Sequence, residues 1–314
     1  MVRIILFFII IACMRVLQKF CSKQVSNEVK RNEMFHYCGY YQLLAALVSL
    51  ISLSIVGFYG FNFLTVLCAL VSALCLSAQM FAGIIALRGC TLVVSQMIGA
   101  GSLVIPCIYG ALFLNEPMSI GDWIGLIMFL VSVYFLVSQP KGGAKQEKVE
   151  KMSLKTMIAL AVCLFGEGFT MVIQKIFAIR VPNGNESMYS FLMFAMNAVI
   201  LYATYLIVAI ARKRQAVKSL QSIDEKAMPK TFKPLSKKLL ICGVLLSFAL
   251  FAVNLLVTTL AKTIPSAVLF TASYAISIGI TILVGRVFYK EKLTWKNGIG
   301  VILGVSAIIV INIL

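Results

Sequence analysis

Glu167 lies at the midpoint of an apolar run, residues 154–178, flanked by Gly166 and Gly168. A carboxylate at that depth costs about 2.5–3.5 kcal/mol to insert into a bilayer on translocon scales, so such residues usually face a wet cavity or pair with a cation. Thr170 and Gln174 follow at three and seven residues and share its helical face. The chemistry open to Glu167 is binding of a cationic or amine group, or carriage of a proton. The structural alternative is an ion pair with Arg15 or Lys175 that holds helices together. Arg15, deep in the first apolar run, could bind an anionic group or meet Glu167, or it could snorkel to the headgroups, as Lys19 could.

Other polar side chains sit inside apolar runs: Gln79, Gln96, Asn197, Asn254 with Ser247 and Thr258, and Tyr274. Buried amides need partners, which either a substrate or a neighbouring helix can provide. Ser95, Gly99, Ser102, Pro106 and Gly110 form one narrow stripe of small residues, and Ser277, Thr281 and Gly285 form another. Such stripes let helix backbones approach closely in lipid. They are candidate sliding or bending surfaces, Pro106 adding a freed carbonyl, with Gln96 and Tyr274 beside them positioned to contact substrate. Glu116 and Glu291 fall at helix starts, where the helix dipole explains them. His36 lies at a membrane edge. Asn185-Glu186-Ser187 matches a glycosylation acceptor, a tripeptide common by chance.

These residues need an all-helical membrane scaffold. Of 314 residues, 61% are hydrophobic and 12% charged, too few charges to cover a soluble core of that composition. A crossing helix needs about 20 apolar residues, and ten runs approach that length: 2–20, 36–57, 62–86, 91–114, 119–138, 154–178, 187–210, 239–260, 264–285 and 294–313. The net charge of +17 comes from Lys and Arg placed between runs, which membrane orientation explains better than a nucleic-acid partner. Nine cysteines, none in a C-x-x-C pair, give no disulfide or metal framework. With no GxxxxGK[ST], HExxH or GxSxG, neither ATP-driven pumping nor intramembrane hydrolysis has support; no enzyme activity, cofactor or metal is expected.

The sequence repeats. Gly110, Glu116, Met118, Ser119, Ile124 and Gly125 recur at a constant offset of 175 as Gly285, Glu291, Leu293, Thr294, Ile299 and Gly300. Val16-Leu17-Gln18-Lys19 recurs as Val172-Ile173-Gln174-Lys175, which places residues 2–20 as the first helix of a repeat rather than a signal peptide. The halves are residues 1–138 and 154–314, joined by a Lys-, Gly- and Pro-containing linker, 139–153. Five helices per half is odd, so two like-folded halves must be inverted, as in many secondary transporters. The positive charge agrees: the connection after the second run has no Lys or Arg, whereas its counterpart, Ala211 to Lys238, has nine. The positive-inside rule places odd-numbered connections in the cytoplasm and both termini outside.

The repeat, together with Ala86-Leu87-Arg88, Pro106, Leu114-Asn115-Glu116-Pro117, Ile124-Gly125, Lys262 to Pro265, Glu291-Lys292-Leu293-Thr294 and Ile299-Gly300, resembles the drug/metabolite transporter superfamily, specifically its EamA-like ten-helix members. The resemblance covers nearly the whole chain. It implies an all-α polytopic protein of two inverted five-helix EamA-like repeats. It also implies a central cavity lined mainly by the first, third, fourth, sixth, eighth and ninth helices and closed alternately at either end. The expected function is secondary transport of a small polar or amphipathic metabolite, amino-acid export among the options, with multidrug efflux or a non-transporting scaffold or receptor as alternatives. Lipids and a small-molecule substrate are the expected partners, protons the candidate coupling ion, a monomer or homodimer the expected state, and the bacterial inner membrane the expected location.

Overall fold

The computed structural model describes residues 2–29, 33–89, 92–116, 118–137, 154–181, 183–219, 235–288 and 295–313. The linker 139–153 and Glu291 to Thr294 lie outside the described residues. Eleven helices are present among those described: α1 (Val2–Glu28), α2 (Met34–Val56), α3 (Phe63–Gly89), α4 (Leu92–Gly101), α5 (Val104–Phe113), α6 (Ile120–Val137), α7 (Leu154–Arg180), α8 (Glu186–Ser219), α9 (Lys237–Ala261), α10 (Ser266–Phe288) and α11 (Trp295–Ile313). Seven of them (α1, α2, α3, α7, α8, α9 and α10) are long and apolar enough to cross a membrane. Their outer faces carry exposed aliphatic and aromatic side chains, among them Ile51, Ile55, Phe63, Val199, Ile207 and Leu283, the surface that hydrocarbon rather than water would cover. The chain is an all-α, multi-pass integral membrane protein.

Three features differ from the expected spans. The run 91–114 is two ten-residue helices, α4 and α5, not one. Pro106 has no N–H to donate, and its ring crowds the carbonyl four residues earlier, that of Ser102. The chain tightens there: Ser102 and Leu103 donate to the carbonyls of Gly99 and Ala100, three residues back, at 3.1 and 3.2 Å, and Ile105 donates to Ser102 at 3.2 Å. In α10 the equivalent residue is Thr281, which keeps its N–H, and the helix is continuous. Secondly, α1 runs to Glu28 rather than ending near residue 20. Its polar last turns are held by Arg88, which donates to the carbonyls of Ser26, at 3.1 Å, and Val29. Arg15 and Lys19 are therefore mid-helix, not at the edge of a short span. Thirdly, α8 extends to Ser219, so the first part of the Lys/Arg-rich stretch after residue 211 is helical.

Local capping follows the sequence. Ser119 and Asp122 cap α6 reciprocally: Asp122 N–H donates to Ser119 Oγ at 3.0 Å, and Ser119 N–H donates to Asp122 Oδ2 at 2.7 Å. Asn185 caps α8, its Oδ1 accepting from Ser187 and Met188 N–H at 2.9 and 3.3 Å, while its Nδ2 donates to the Gly57 carbonyl at 2.9 Å. Asn185 is fully buried, so the tripeptide it begins is a helix cap with no room for a glycan.

The helices pack α2 on α8, α6 on α11, α3 on α7 and α8, and α1 on α9 and α10. Small residues permit the closest of these contacts: Ser132 of α6 donates to the Gly300 carbonyl of α11 at 2.5 Å. Connections 57–62, 114–119, 181–185 and 262–265 meet at one end of the bundle, through Asn185 to Gly57, Lys262 to the Gly184 carbonyl, and Glu116 to Ser266. At the other end Lys238 pairs with Glu28 at 2.6 Å, and Lys23 donates to the Leu87 carbonyl at 2.7 Å.

Candidate functional site

Glu167 sits where α7 is pressed between two neighbours, and its flanking glycines are the reason it can. A Cβ on Gly166 would stand 3.0 Å from the Cys75 carbonyl and 3.1 Å from Gln79 Cβ, both on α3. A Cβ on Gly168 would stand 2.9 Å from the Ser102 carbonyl and 3.0 Å from Ile105 Cβ, at the α4–α5 break. The carbonyl distorted by Pro106 thus packs against the glycine that follows Glu167.

The carboxylate is held by α1 and α10. Arg15 Nη1 lies 3.4 Å from Glu167 Oε1, and the Tyr274 hydroxyl donates to the same oxygen. The Arg15 guanidinium also stacks over the Tyr274 ring, 4.1 Å from its centroid, a cation–π contact that the burial of both side chains strengthens. Arg15 is 7% exposed. Snorkelling is therefore excluded for Arg15, and of the two cations considered for Glu167 the structure selects Arg15, not Lys175. Tyr274 touches Glu167 directly. Glu167 Oε2 is buried and has no hydrogen-bond partner among the described residues.

Glu167 also lines a cavity of about 100 Å³, together with α1 (Gln18, Lys19, Ser22), α3 (Gln79, Gly83), α4 (Ser95, Gly99) and α7 (Leu160, Cys163), with aliphatic residues of α3 and α9 opposite. A single water needs roughly 10–15 Å³ on the same measure, so the space holds a small molecule. Of the expected site residues, Glu167, Gln79, Ser95 and Gly99 line it, and Arg15 and Tyr274 stand behind Glu167. Gln96 is 1% exposed, and neither end of its amide has a partner among the described residues.

The remaining residues are placed elsewhere. Gln174 donates to Asn254 Oδ1, and Asn254 Nδ2 donates to Ser190 Oγ at 2.6 Å, so these amides tie α7, α9 and α8 together. Thr170 donates to its own helix at the Gly166 carbonyl, 2.8 Å away. Ser102 and Ser277 likewise donate to the carbonyls of Gly99 and Ser273, at 2.5 and 2.7 Å. Thr281 and Gly285 are buried in α10.

A second ion pair lies at the end where Gly57 meets Asn185. Lys175, 3% exposed, places Nζ 2.7 Å from Glu116 Oε1 and donates to the Ile264 carbonyl at 2.7 Å. Glu116 Oε2 accepts from Ser266 N–H at 2.9 Å, at the first residue of α10. Glu116 thus serves the N-terminus of α10 rather than that of its own following helix. Burial, the largest single influence, pushes its carboxyl up, but the hydrogen bonds from Lys175 and Ser266 together hold it below the usual carboxylate range. Gly110 makes the room: a Cβ there would collide with the Glu116 carboxylate and stand 3.1 Å from Ser266 Oγ. Sequence reasoning treated Lys175 only as a possible partner of Glu167, and Lys19 only as a headgroup anchor. The signal for Lys175 was a cation placed inside the apolar run 154–178 rather than between runs.

No family model matches the chain, and no curated protein matches it. A solved structure described only as "Crystal structure of protein" is similar over 96% of this chain and 94% of its own, with a TM-score of 0.65 and 14% identity; at that identity the likeness is one of fold alone.

Proposed function

We propose that the protein is a secondary transporter of ten spans, in which α4 and α5 together make one crossing and residues 1–138 and 154–314 are inverted five-helix repeats. Its substrate is a small polar or amphipathic metabolite, moved by alternating access. The observation that carries this reading is the cavity inside the bundle lined in part by Glu167, one carboxylate oxygen of which is held by Arg15 and Tyr274 and the other without a partner among the described residues. A purely structural ion pair in lipid would satisfy both oxygens.

Packing supports the repeat. Exchanging halves maps α1, α2, α3, α4–α5 and α6 onto α7, α8, α9, α10 and α11. The contacts of α1 with α9 and of α2 with α9 then become those of α7 with α3 and of α8 with α3, and all four are present. The motif resemblance to EamA-like members of the drug/metabolite transporter superfamily supports the same architecture. Lys175–Glu116 and Lys262–Glu186, at 2.7 and 2.5 Å, tie the end remote from the cavity, and the cavity, lined by Lys19, Ser22 and Leu87, lies toward the odd-numbered connections. With the positive charge taken as cytoplasmic, that end faces the cytoplasm of a bacterial cell, and alkaline phosphatase fused after Ser222 is expected to be inactive; an active fusion reverses the orientation.

Purified protein in proteoliposomes, offered pooled metabolites with and without a pH gradient, is expected to carry a saturable flux. Glu167→Gln is expected to lower that flux at least ten-fold or to abolish its dependence on the gradient, and an unchanged flux and pH profile would remove Glu167 from the mechanism. The aliphatic wall of the cavity, Leu76, Met80, Leu160, Leu246 and Leu250, favours efflux of amphipathic cations as the second reading, scored by adding such cations to the same pools. Absence of flux for every pool would favour a scaffold.

A further inference from the structure

The two halves leave equivalent polar residues in different states. Gln174 and Lys175 correspond to Gln18 and Lys19 in the repeated stretches Val172 to Lys175 and Val16 to Lys19, and Asn254 corresponds to Gln79 at the 175-residue offset. In the second half the set is closed. Gln174 of α7 donates to Asn254 Oδ1 of α9, Asn254 Nδ2 donates to Ser190 Oγ at 2.6 Å, and Lys175 Nζ lies 2.7 Å from Glu116 Oε1. In the first half Gln18, Lys19 and Gln79 line the cavity, Gln18 and Lys19 from α1 and Gln79 from α3. Gln18 Nε2 is buried with no hydrogen-bond partner among the described residues, and among them no side-chain bond joins Gln18 to Gln79 and no ion pair holds Lys19. One half is clasped and the other stands open.

We infer that the two amide pairs form an exchanging clasp: in a second conformation Gln18 of α1 bonds Gln79 of α3, and Gln174 and Asn254 have parted. The hydrogen-bond count is the physical reason. A buried amide without a partner is costly, and the described conformation satisfies one pair while leaving the other open, so a conformation that reverses them keeps the number of amide–amide bonds. The helices that carry the amides, α1 with α3 and α7 with α9, are already in contact, and each clasp therefore needs a change of tilt at an existing interface rather than a new interface. Gly83, one turn from Gln79 on the same cavity wall, has only Cys163 Sγ, at 3.7 Å, near the position of a Cβ, which leaves α1 room to approach. Interhelical amide bonds in a membrane are weak, so one can break as the other forms and bias the populations of the two conformations. Closing Gln18 on Gln79 draws the α1 and α3 walls of the cavity together. The inference rests on the inverted-repeat part of the transport reading and on no particular substrate.

The test is cysteine labelling of the full-length protein in detergent, with the nine native cysteines replaced by alanine and a single reporter introduced as Ser22→Cys, on the cavity wall, or as Ala178→Cys, its repeat counterpart on α7 and partly buried in the core. The readout is the rate of reaction with a small water-soluble maleimide. Gln174→Leu and Asn254→Leu break the bond from either side; each is expected to slow labelling at position 22 at least three-fold and to speed it at position 178 by as much. Gln79→Leu should do the opposite at both positions, and Asn254→Gln, which keeps an amide, should stay within two-fold of the parent. The opposed signs separate exchange from loosening, because an amide pair that only ties helices together raises both rates when it is broken. Gln79→Leu breaks no bond of the described conformation, so its result stands even if the other two variants fail to fold. Rates that rise together at both positions, or that stay within two-fold of the parent in Gln79→Leu, overturn the clasp. Opposed rate changes without flux of any solute in proteoliposomes would count against the transport reading and leave the clasp standing. Flux with both rates unmoved would do the reverse.

Discussion

Lys175→Met destabilises the protein by about 3–5 kcal/mol, the cost of leaving a buried carboxylate without its cation. Lys175 is 3% exposed, and its ammonium is satisfied by Glu116 and the Ile264 carbonyl, so its loss strips charge and hydrogen bonding together from the junction of α5, α7 and α10. Glu116→Gln costs a similar amount by orphaning the ammonium, and the double variant recovers part of either loss, because replacing both partners removes the uncompensated charge. Gly110→Ala attacks the same clasp from behind by displacing the Glu116 carboxylate. Thermal unfolding of the detergent-solubilised protein, followed by tryptophan fluorescence, measures all four. The pair also has a pH signature. The Glu116 carboxyl is held below its ordinary value of 4.5, so its stabilisation is fully present above that value and is lost as pH falls through the lower folded one. Acid should therefore lower the unfolding midpoint of the wild type through this window, and that of the double variant less. Equal acid sensitivity in the two proteins would show that the clasp adds nothing.

Gly168→Ala is expected to cost about 1–3 kcal/mol by overpacking and to impair the Glu167 site along with stability. The new methyl would meet the Ser102 carbonyl and Ile105 Cβ at 2.9 and 3.0 Å. A side-chain tip could swing away, but the carbonyl is backbone, fixed at the break between α4 and α5, so α7 and α4–α5 must separate. That widens the wall behind Glu167. Gly279→Ala is the control. A Cβ there has nothing within 4 Å, and replacing a mid-helix glycine by alanine gains roughly 0.5–1 kcal/mol. Unfolding midpoints of the two variants should move in opposite directions, and a Gly168→Ala protein as stable as wild type would mean the helices do not approach this closely.

The carboxylate that organises the site was legible in the sequence because its cost is local: Glu167 in an apolar run is expensive whatever surrounds it, and its two glycines mark close helix approach. Pro106 marked a freed carbonyl and a bending surface, yet the run 91–114 read as one span; the missing N–H and the crowded carbonyl divide it into α4 and α5. The reach of α1 was not legible. Apolarity falls away after Phe20, yet the helix continues to Glu28 because Arg88 from α3 satisfies its final carbonyls. That extension turns Arg15 and Lys19 from edge residues into inward-facing ones.

The sequence by itself determined the helical membrane architecture, the charge distribution, and the faces on which polar groups lie, because hydropathy and the 3.6-residue period act within a single segment. Only the tertiary structure decided the pairings: Arg15 and Tyr274 with Glu167, Lys175 with Glu116, and Gln174 with Asn254. Each joins residues about 60 to 150 positions apart, and several cations and amides on inward faces could have met any of these partners. Which of them do meet depends on which helices are neighbours and how far each is shifted along its axis, and that is fixed by close packing at glycines 99, 110, 166 and 168 rather than by anything local to the charged residues.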